Sequence, residues 1–153
     1  MAGDQNNTIG NASTVPLMVP LQAQPFIGIP YKDEGCGFDG VNCYGLVHLV
    51  LKCCCGIVIN PYADISALEI DRVNEAIAAA VDTPEWLRVI GEPKLYDVAL
   101  LRGAPFHCGI VIAPKILLHV WRAPASIAMA FDDIRIRNRF IAFYRHAELA
   151  HQP

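Results

Sequence analysis

Hydrophobic positions concentrate in one run. From residue 46 to 58 nearly every side chain is apolar, and Lys52 is the one charge. The run is too long for a single strand. Leu46, Leu49, Val50 and Cys53 fall at i, i+3, i+4 and i+7, so its first half reads as a helix with Cys43 in the first turn. Apolar residues on the other side as well predict burial nearly all round. A glycine-rich turn over 34–40 leads into this helix, and Gly56 is a natural stop. Residues 67–81 predict a second helix, with Leu68, Val73, Ile77 and Val81 as a partial apolar face. Thr83, Pro84 and Glu85 read as N-cap, N1 and N2 of a short third helix carrying Trp86, Leu87 and Ile90. Strands are predicted over 97–101, 106–112, 116–121, 127–131, 134–137 and 140–144, with a fraying tail after His146. The alternating Ile134, Arg135, Ile136 and Arg137 fit a half-exposed strand, with Arg135, Arg137 and Arg139 on a solvated face. Helices first and an antiparallel sheet afterwards make an α+β domain.

The first 25 residues differ from the rest. Residues 1–14 are rich in Asn, Gly, Ser and Thr and predict a mobile segment. Residues 15–30 are apolar but punctuated by Pro16, Pro20, Pro25 and Pro30, which suits an extended arm and not a helix. Such an arm either wraps its own domain or docks on a partner. The division expected is an arm over 1–25, a domain over 26–147 and a tail over 148–153.

Composition narrows the class. A chain of 153 residues with 54% hydrophobic content is long enough for one domain with a real core. A net charge of −3 argues against nucleic acid as the main partner. The uncharged stretch before Lys32 is broken by prolines and polar residues, so it predicts no membrane span, and it lacks the basic start of an export signal. Of six cysteines, Cys53, Cys54 and Cys55 are consecutive and point in different directions from one helix, so neither a zinc site nor a disulfide framework is expected. A single Cys36–Cys43 bridge stays open, and it would disable Cys43.

The candidate chemistry starts at Cys43. At a helix N-terminus, unpaired N–H groups and the positive end of the helix dipole favour a thiolate. The plain alternative is that a cysteine is a small buried hydrophobe. Two histidines add to the picture. A hairpin centred on Ala113 would pair 111 with 115, 109 with 117 and 107 with 119. That makes His107 and His119 cross-strand neighbours on one face, so that one imidazole can orient the other. No cofactor is implied, and no metal.

At this point the sequence resembles the NlpC-type cell-wall cysteine peptidases, a papain-like fold, and in particular short peptidases of phage tail-assembly regions. Ile27–Gly28–Ile29–Pro30–Tyr31 followed by Gly35 resembles the family's lead-in to the nucleophile. Asn42–Cys43–Tyr44–Gly45–Leu46–Val47 resembles the nucleophile motif, with an aromatic residue after the cysteine as in the phage-tail branch. Asp97–Val98–Ala99–Leu100–Leu101, His107–Cys108–Gly109–Ile110–Val111–Ile112 and Leu117–Leu118–His119–Val120 are similar to successive strands of the family. Arg139–Phe140–Ile141–Ala142–Phe143–Tyr144–Arg145 is similar to the last strand of the phage-tail members.

The resemblance covers residues 25–147 and implies Cys43 as nucleophile, His107 as general base and acid, and His119 as the orienting residue. It implies substrate or oxyanion roles for Tyr31, Asn42 and Tyr44. Asn42 stands where the family has aspartate, Tyr96 where it has glycine, and Cys108 where valine is common. His48 reads as a helix-surface or satisfied core residue.

The implied activity is hydrolysis of peptide bonds in peptidoglycan stems or cross-links during genome delivery by a phage tail tip. The protein would be made in the host cytoplasm, carried in the virion and active in the host envelope. Its partners would be the wall peptide and other tail-tip or hub proteins, the latter through residues 15–30. The alternatives are a structural tail-tip component with weak or lost activity and a host enzyme of wall remodelling.

Overall fold

In the computed structural model, whose described residues are 17–81, 83–122 and 124–153, the chain first makes a 3₁₀ helix, Leu21–Phe26. The expectation of a fully extended arm is therefore corrected over these residues. Between Pro20 and Pro25 there is room for a tight turn that needs only i to i+3 bonds, such as Ala23 N–H to the Pro20 carbonyl at 2.9 Å. Ala23, Phe26 and Ile29 are buried in the domain core. Buried Ser126 stitches this segment down: its hydroxyl donates to the Phe26 carbonyl at 2.6 Å and accepts from Ile29 N–H at 2.9 Å. This part of residues 15–30 wraps its own domain. The expectation for 1–14 lies outside the described residues.

Next come two short strands, β1 (Cys36–Gly37) and β2 (Gly40–Val41), then α1 (Cys43–Cys55), as the apolar spacing predicts. Leu46, Val47, Val50 and Leu51 are buried completely or nearly so. Each contributes roughly 1.5–3 kcal/mol of burial. Gly56 closes α1 in the left-handed region at φ 68°, which costs a glycine nothing.

Helix α2 (Ile70–Val81) starts three residues later than expected. Ser66 and Ala67 are instead held by Asp33, whose carboxylate accepts from the Ser66 hydroxyl and from Ala67 N–H. The third helix is absent. Thr83 does not cap forward; its hydroxyl donates back to the Ala80 carbonyl at 2.7 Å, at the end of α2. Trp86–Arg88 then forms β3, paired to the last strand of the sheet. Three residues hold no helix against a ready strand partner, so pairing overrides local propensity.

Strands β4 (Val98–Leu101), β5 (His107–Ala113), β6 (Ile116–His119) and β7 (Ile127–Ala130) follow close to their expected places. The stretch expected as a fifth strand in this region is a one-turn helix, α3 (Ile134–Arg137). Asp133 caps it by accepting from Arg135 N–H at 2.9 Å, and four alternating residues fit one helical turn as well as a strand. The chain ends with β8 (Phe140–His146) and a short helix, α4 (Ala147–Ala150), where a fraying tail was expected. The sheet order is β3-β8-β4-β5-β6-β7, antiparallel throughout.

Strand β5 is buried along its whole length because both sheet faces are covered. Cys108, Ile110 and Ile112 join the core with α1, and Val111 joins a second core with Leu101, Leu117 and Ile136. Asp97, fully buried, accepts a two-pronged ion pair from Arg145 at 2.8 and 2.6 Å and a bond from Lys94 N–H at 2.7 Å. Tyr96 has φ 68°, the left-handed backbone that glycine adopts without strain. No helix among the described residues is long and apolar enough to cross a membrane.

Candidate active site

The start of α1 is fixed by its neighbours. Asn42 is the N-cap: its Oδ1 accepts from Gly45 N–H at 2.7 Å, and its carbonyl accepts from Leu46 N–H at 3.0 Å. Asn42 N–H donates to the Gly35 carbonyl at 3.0 Å, Val41 N–H to the Pro30 carbonyl at 3.0 Å, and Lys32 N–H to the Val41 carbonyl at 3.0 Å. Residues 30–35 and 41–42 and the start of α1 are thus one hydrogen-bonded unit. Gly45 is required within it, because a Cβ there would lie 1.9 Å from the Gly35 carbonyl oxygen. Gly45→Ala is expected to destabilise the fold by about 1–3 kcal/mol, read as a lowered urea midpoint at unchanged slope.

With Gly45 and Leu46 served by Asn42, the remaining first-turn donors are the N–H groups of Cys43 and Tyr44. Cys43 is half-buried beside them. Its thiol is held well below the ordinary thiol value by hydrogen bonding from the Cys108 thiol, then by a bond to and the charge of His107, against the opposing effect of burial. Cys108 is pushed well up by the same partnership, so Cys108 keeps its proton when Cys43 loses one. Burial raises Cys54 and lifts Cys55 to about 11, which leaves neither suited to nucleophilic work. All six cysteines are free, Cys36 and Cys43 included.

The two histidines meet at the edge of this site, but not in the expected register. Val111 faces Leu117 and Ile110 faces Leu118, a slip of two residues from the hairpin centred on Ala113. The cause is the turn. Ala113 pairs with Ile116 around only Pro114 and Lys115, Lys115 takes φ 60°, and a bulge follows between Val111 and Ala113. A slip of two keeps each side chain on its face. His107 Nε2 and His119 Nδ1 therefore still bond, diagonally, at 3.0 Å.

His119 is 2% exposed, and its Nε2 has no hydrogen-bond partner among the described residues. Burial, then the charge of His107 and of Arg135, lowers its pKa from 6.5 to about 4. Between pH 6.5 and 4 the unfolded chain binds more protons at this residue than the folded one. Its contribution is full above pH 6.5 and is lost as pH falls towards 4, in all about 3 kcal/mol. Urea midpoints across this range should fall with acid in the wild type and fall less in His119→Phe.

The structure also assigns neighbours that sequence reasoning missed. Trp121 stacks on His107, with ring centroids 4.6 Å apart and an interplanar angle of 31°, and the Arg139 guanidinium lies 4.1 Å over the Trp121 ring. The signal was available in the period of two that puts 119 and 121 on one face. Arg135, Arg137 and Arg139 are all exposed, as expected, but none lies on a strand, and Arg135 pairs with Asp133 at 2.8 Å. His48 is a satisfied core residue: its Nδ1 bonds the Ile59 carbonyl oxygen at 2.8 Å.

Cys43, His107, Tyr31, Asn42 and Tyr44 all line one cleft of about 140 Å³. Burial raises the Tyr31 and Tyr44 phenols, so both stay protonated as donors at neutral pH. Asn42 carries a second role that a substrate reading alone overlooks, since its Oδ1 is committed to the helix cap. The groups at this cleft can supply a thiolate, a histidine to accept and return its proton, and backbone donors for an oxyanion.

Solved structures share this fold. The NlpC/p60 domain of the peptidoglycan hydrolase SagA is similar over 81% of this chain and 92% of that one, with a TM-score of 0.54 and 16% identity. A Staphylococcus aureus protein described as similar to a lipoprotein of the NLP/P60 family matches over 82% of this chain, with a TM-score of 0.52 and 17% identity. The match takes in 39% of that second protein's length. No family model and no curated sequence matches. At these identities the likeness is one of fold, and the chain has the α+β, papain-like NlpC/p60 architecture.

Proposed function

We propose that the chain is a thiol hydrolase of the peptide part of peptidoglycan, with Cys43 as nucleophile, His107 as general base and acid, and His119 as the orienting residue. The observation that carries it is the 3.0 Å bond between His107 and His119 beside a cysteine at a capped helix N-terminus. The NlpC/p60 fold shared with a peptidoglycan hydrolase supports the substrate.

In the reaction, His107 takes the Cys43 proton and the thiolate attacks the amide carbonyl. The oxyanion forms against the Cys43 N–H. His107 then protonates the leaving amine and afterwards activates the water that hydrolyses the thioester. His119 accepts from His107 Nε2–H throughout, which fixes the orientation and tautomer of the ring.

Digestion of purified sacculi tests this. The expected products are fragments with new amino and carboxyl termini and intact glycan. New reducing sugar ends would assign a different chemistry.

The finer reading is a peptidase borne by a phage tail tip. Tyr44 after the nucleophile and the likeness of residues 139–145 to phage-tail members support it. Met18 and Leu21 are 83% and 79% exposed, which suits docking of this segment on a hub protein. Limited proteolysis should cut near them in the free protein and not in assembled particles. A structural tail-tip role without activity is the second reading, favoured by Asn42 in the family's aspartate place.

A further inference from the structure

Cys108 forms and breaks no bond in the proposed hydrolysis, yet its sulfur touches the nucleophile. It sits on β5 directly after His107, 4% exposed, and Cys43 packs against the core there from the first turn of α1. The Cys43 sulfur accepts hydrogen bonds both from the Cys108 thiol and from Cys108 N–H. Two bonds from one residue hold the two sulfurs together. Among the described residues, Cys43 and Cys108 are the two cysteines that line the cleft. Cys53, Cys54 and Cys55 lie at the other end of α1, about 15 Å or more along its axis.

We propose that Cys108 is a resolving thiol, and that a hydroperoxide converts the Cys43–Cys108 pair to a disulfide that switches the site off reversibly. The two sulfurs have different parts. The Cys43 thiolate is the form that reacts with peroxide, while Cys108 keeps its proton. The cleft of about 140 Å³ that reaches Cys43 has room for hydrogen peroxide, a molecule little larger than water. In the first step the thiolate attacks one peroxide oxygen. An S–O bond forms and the O–O bond breaks. Sulfur is oxidised and the peroxide reduced by one electron pair. The hydroxide released takes from His107 the proton that Cys43 gave up, and becomes water. In the second step the Cys108 sulfur attacks the sulfur of the Cys43 sulfenic acid. An S–S bond forms, the S–O bond breaks, and hydroxide leaves with the Cys108 proton as a second water. That proton is easier to lose at this stage, because the bond to the Cys43 thiolate and its charge, which held it, are gone. In sum, two thiols and one hydrogen peroxide give one disulfide and two waters.

The chemistry at sulfur needs only the pair. The loss of activity that follows from it rests on Cys43 as the hydrolytic nucleophile. Without a thiol in contact, a sulfenic acid goes on to sulfinic acid, which a thiol reductant does not restore. Cys108 turns that irreversible loss into one that a dithiol reverses.

The test exposes the reduced, full-length protein to hydrogen peroxide, blocks remaining thiols with iodoacetamide and maps the digested peptides by mass spectrometry. The expected product is a linked Cys43–Cys108 peptide pair, lighter than the reduced peptides by two hydrogen atoms and absent after dithiothreitol. Cys108→Ser keeps a hydroxyl donor for Cys43 and removes the sulfur. In this variant Cys43 should appear as sulfinic acid. The fraction of Cys43 thiol recovered by dithiothreitol should be at least about 5-fold lower than in the wild type at equal extent of Cys43 oxidation. Cys108→Val, apolar and similar in size, should give the same result and serves where the buried hydroxyl of serine harms the fold; circular dichroism checks both. Sulfinic acid at Cys43 of the wild type with no link to Cys108 overturns the proposal. So does a link from Cys43 to Cys36, equal recovery in the wild type and in folded variants, or a Cys43 left intact by a peroxide dose that oxidises exposed Cys53. None of these outcomes depends on turnover. The hydrolase reading fails separately, by the absence of any Cys43-dependent amide cleavage in the reduced protein.

Discussion

Cys43→Ala is expected to lower amide hydrolysis by about 10⁴-fold or more while leaving the fold intact. The size of the effect follows from the covalent route. Without sulfur at this position no thioester forms, and the cap, the helix N-terminus and the cleft can only position a water. The fold should survive because Cys43 is half-buried at the first turn, and Asn42 and Gly45, which hold that turn, are untouched. Matched circular dichroism and urea midpoints beside fragment release from sacculi provide the check. Equal release by both proteins would remove Cys43 from the reaction.

His119→Leu is expected to reduce kcat by about 10²–10⁴-fold, with KM little changed. When His107 carries the Cys43 proton, both its ring nitrogens are donors, and Nε2–H points at His119 Nδ1 at 3.0 Å. A neutral His119 is the acceptor this state needs. Its burial and its pKa of about 4 keep it neutral across the physiological range. Leucine fills a similar space but offers no lone pair, which leaves a buried donor unpaired. His119→Gln, with a carbonyl oxygen able to accept, should recover about 10-fold or more of the loss. A purely structural His119 would give no such difference between leucine and glutamine at equal stability. Steady-state kinetics on a soluble wall peptide separates the two.

The parts of this fold legible in the sequence are those where one strong local signal had no competitor. Helix α1 was set by a long apolar run and a glycine stop. Strands β4 to β7 were bounded by glycine and proline turns. The errors lie where a few residues carried two compatible patterns. Ile134 to Arg137 alternates like a strand, but Asp133 supplies a cap and one turn of helix results. Trp86 to Arg88 follows what reads as a helix start, but pairing with β8 makes it an edge strand. The histidine pair came through a wrong register because the error was an even number of residues.

The sequence singles out Cys43, His107 and His119, and the structure brings the three together, but their setting was hidden. The Asn42 cap follows from its place before the helix, a signal that the residue's resemblance to a substrate position does not carry. Trp121 and Arg139 meet across 18 positions of sequence, and no local pattern carries that contact. The use of the α2 face was also hidden. Helical spacing predicts an apolar face but not whether it turns to the core or to a cleft, and here it turns to the cleft.

The most direct test of the site is the rate of iodoacetamide alkylation at Cys43 as a function of pH, followed by peptide mapping to separate it from the other five cysteines. A reactive thiolate should be present well below pH 9.0, the ordinary thiol value, and His107→Ala should move the profile up. A Cys43 profile that rises only near pH 9.0, and is the same in His107→Ala, would contradict a cysteine–histidine nucleophile here.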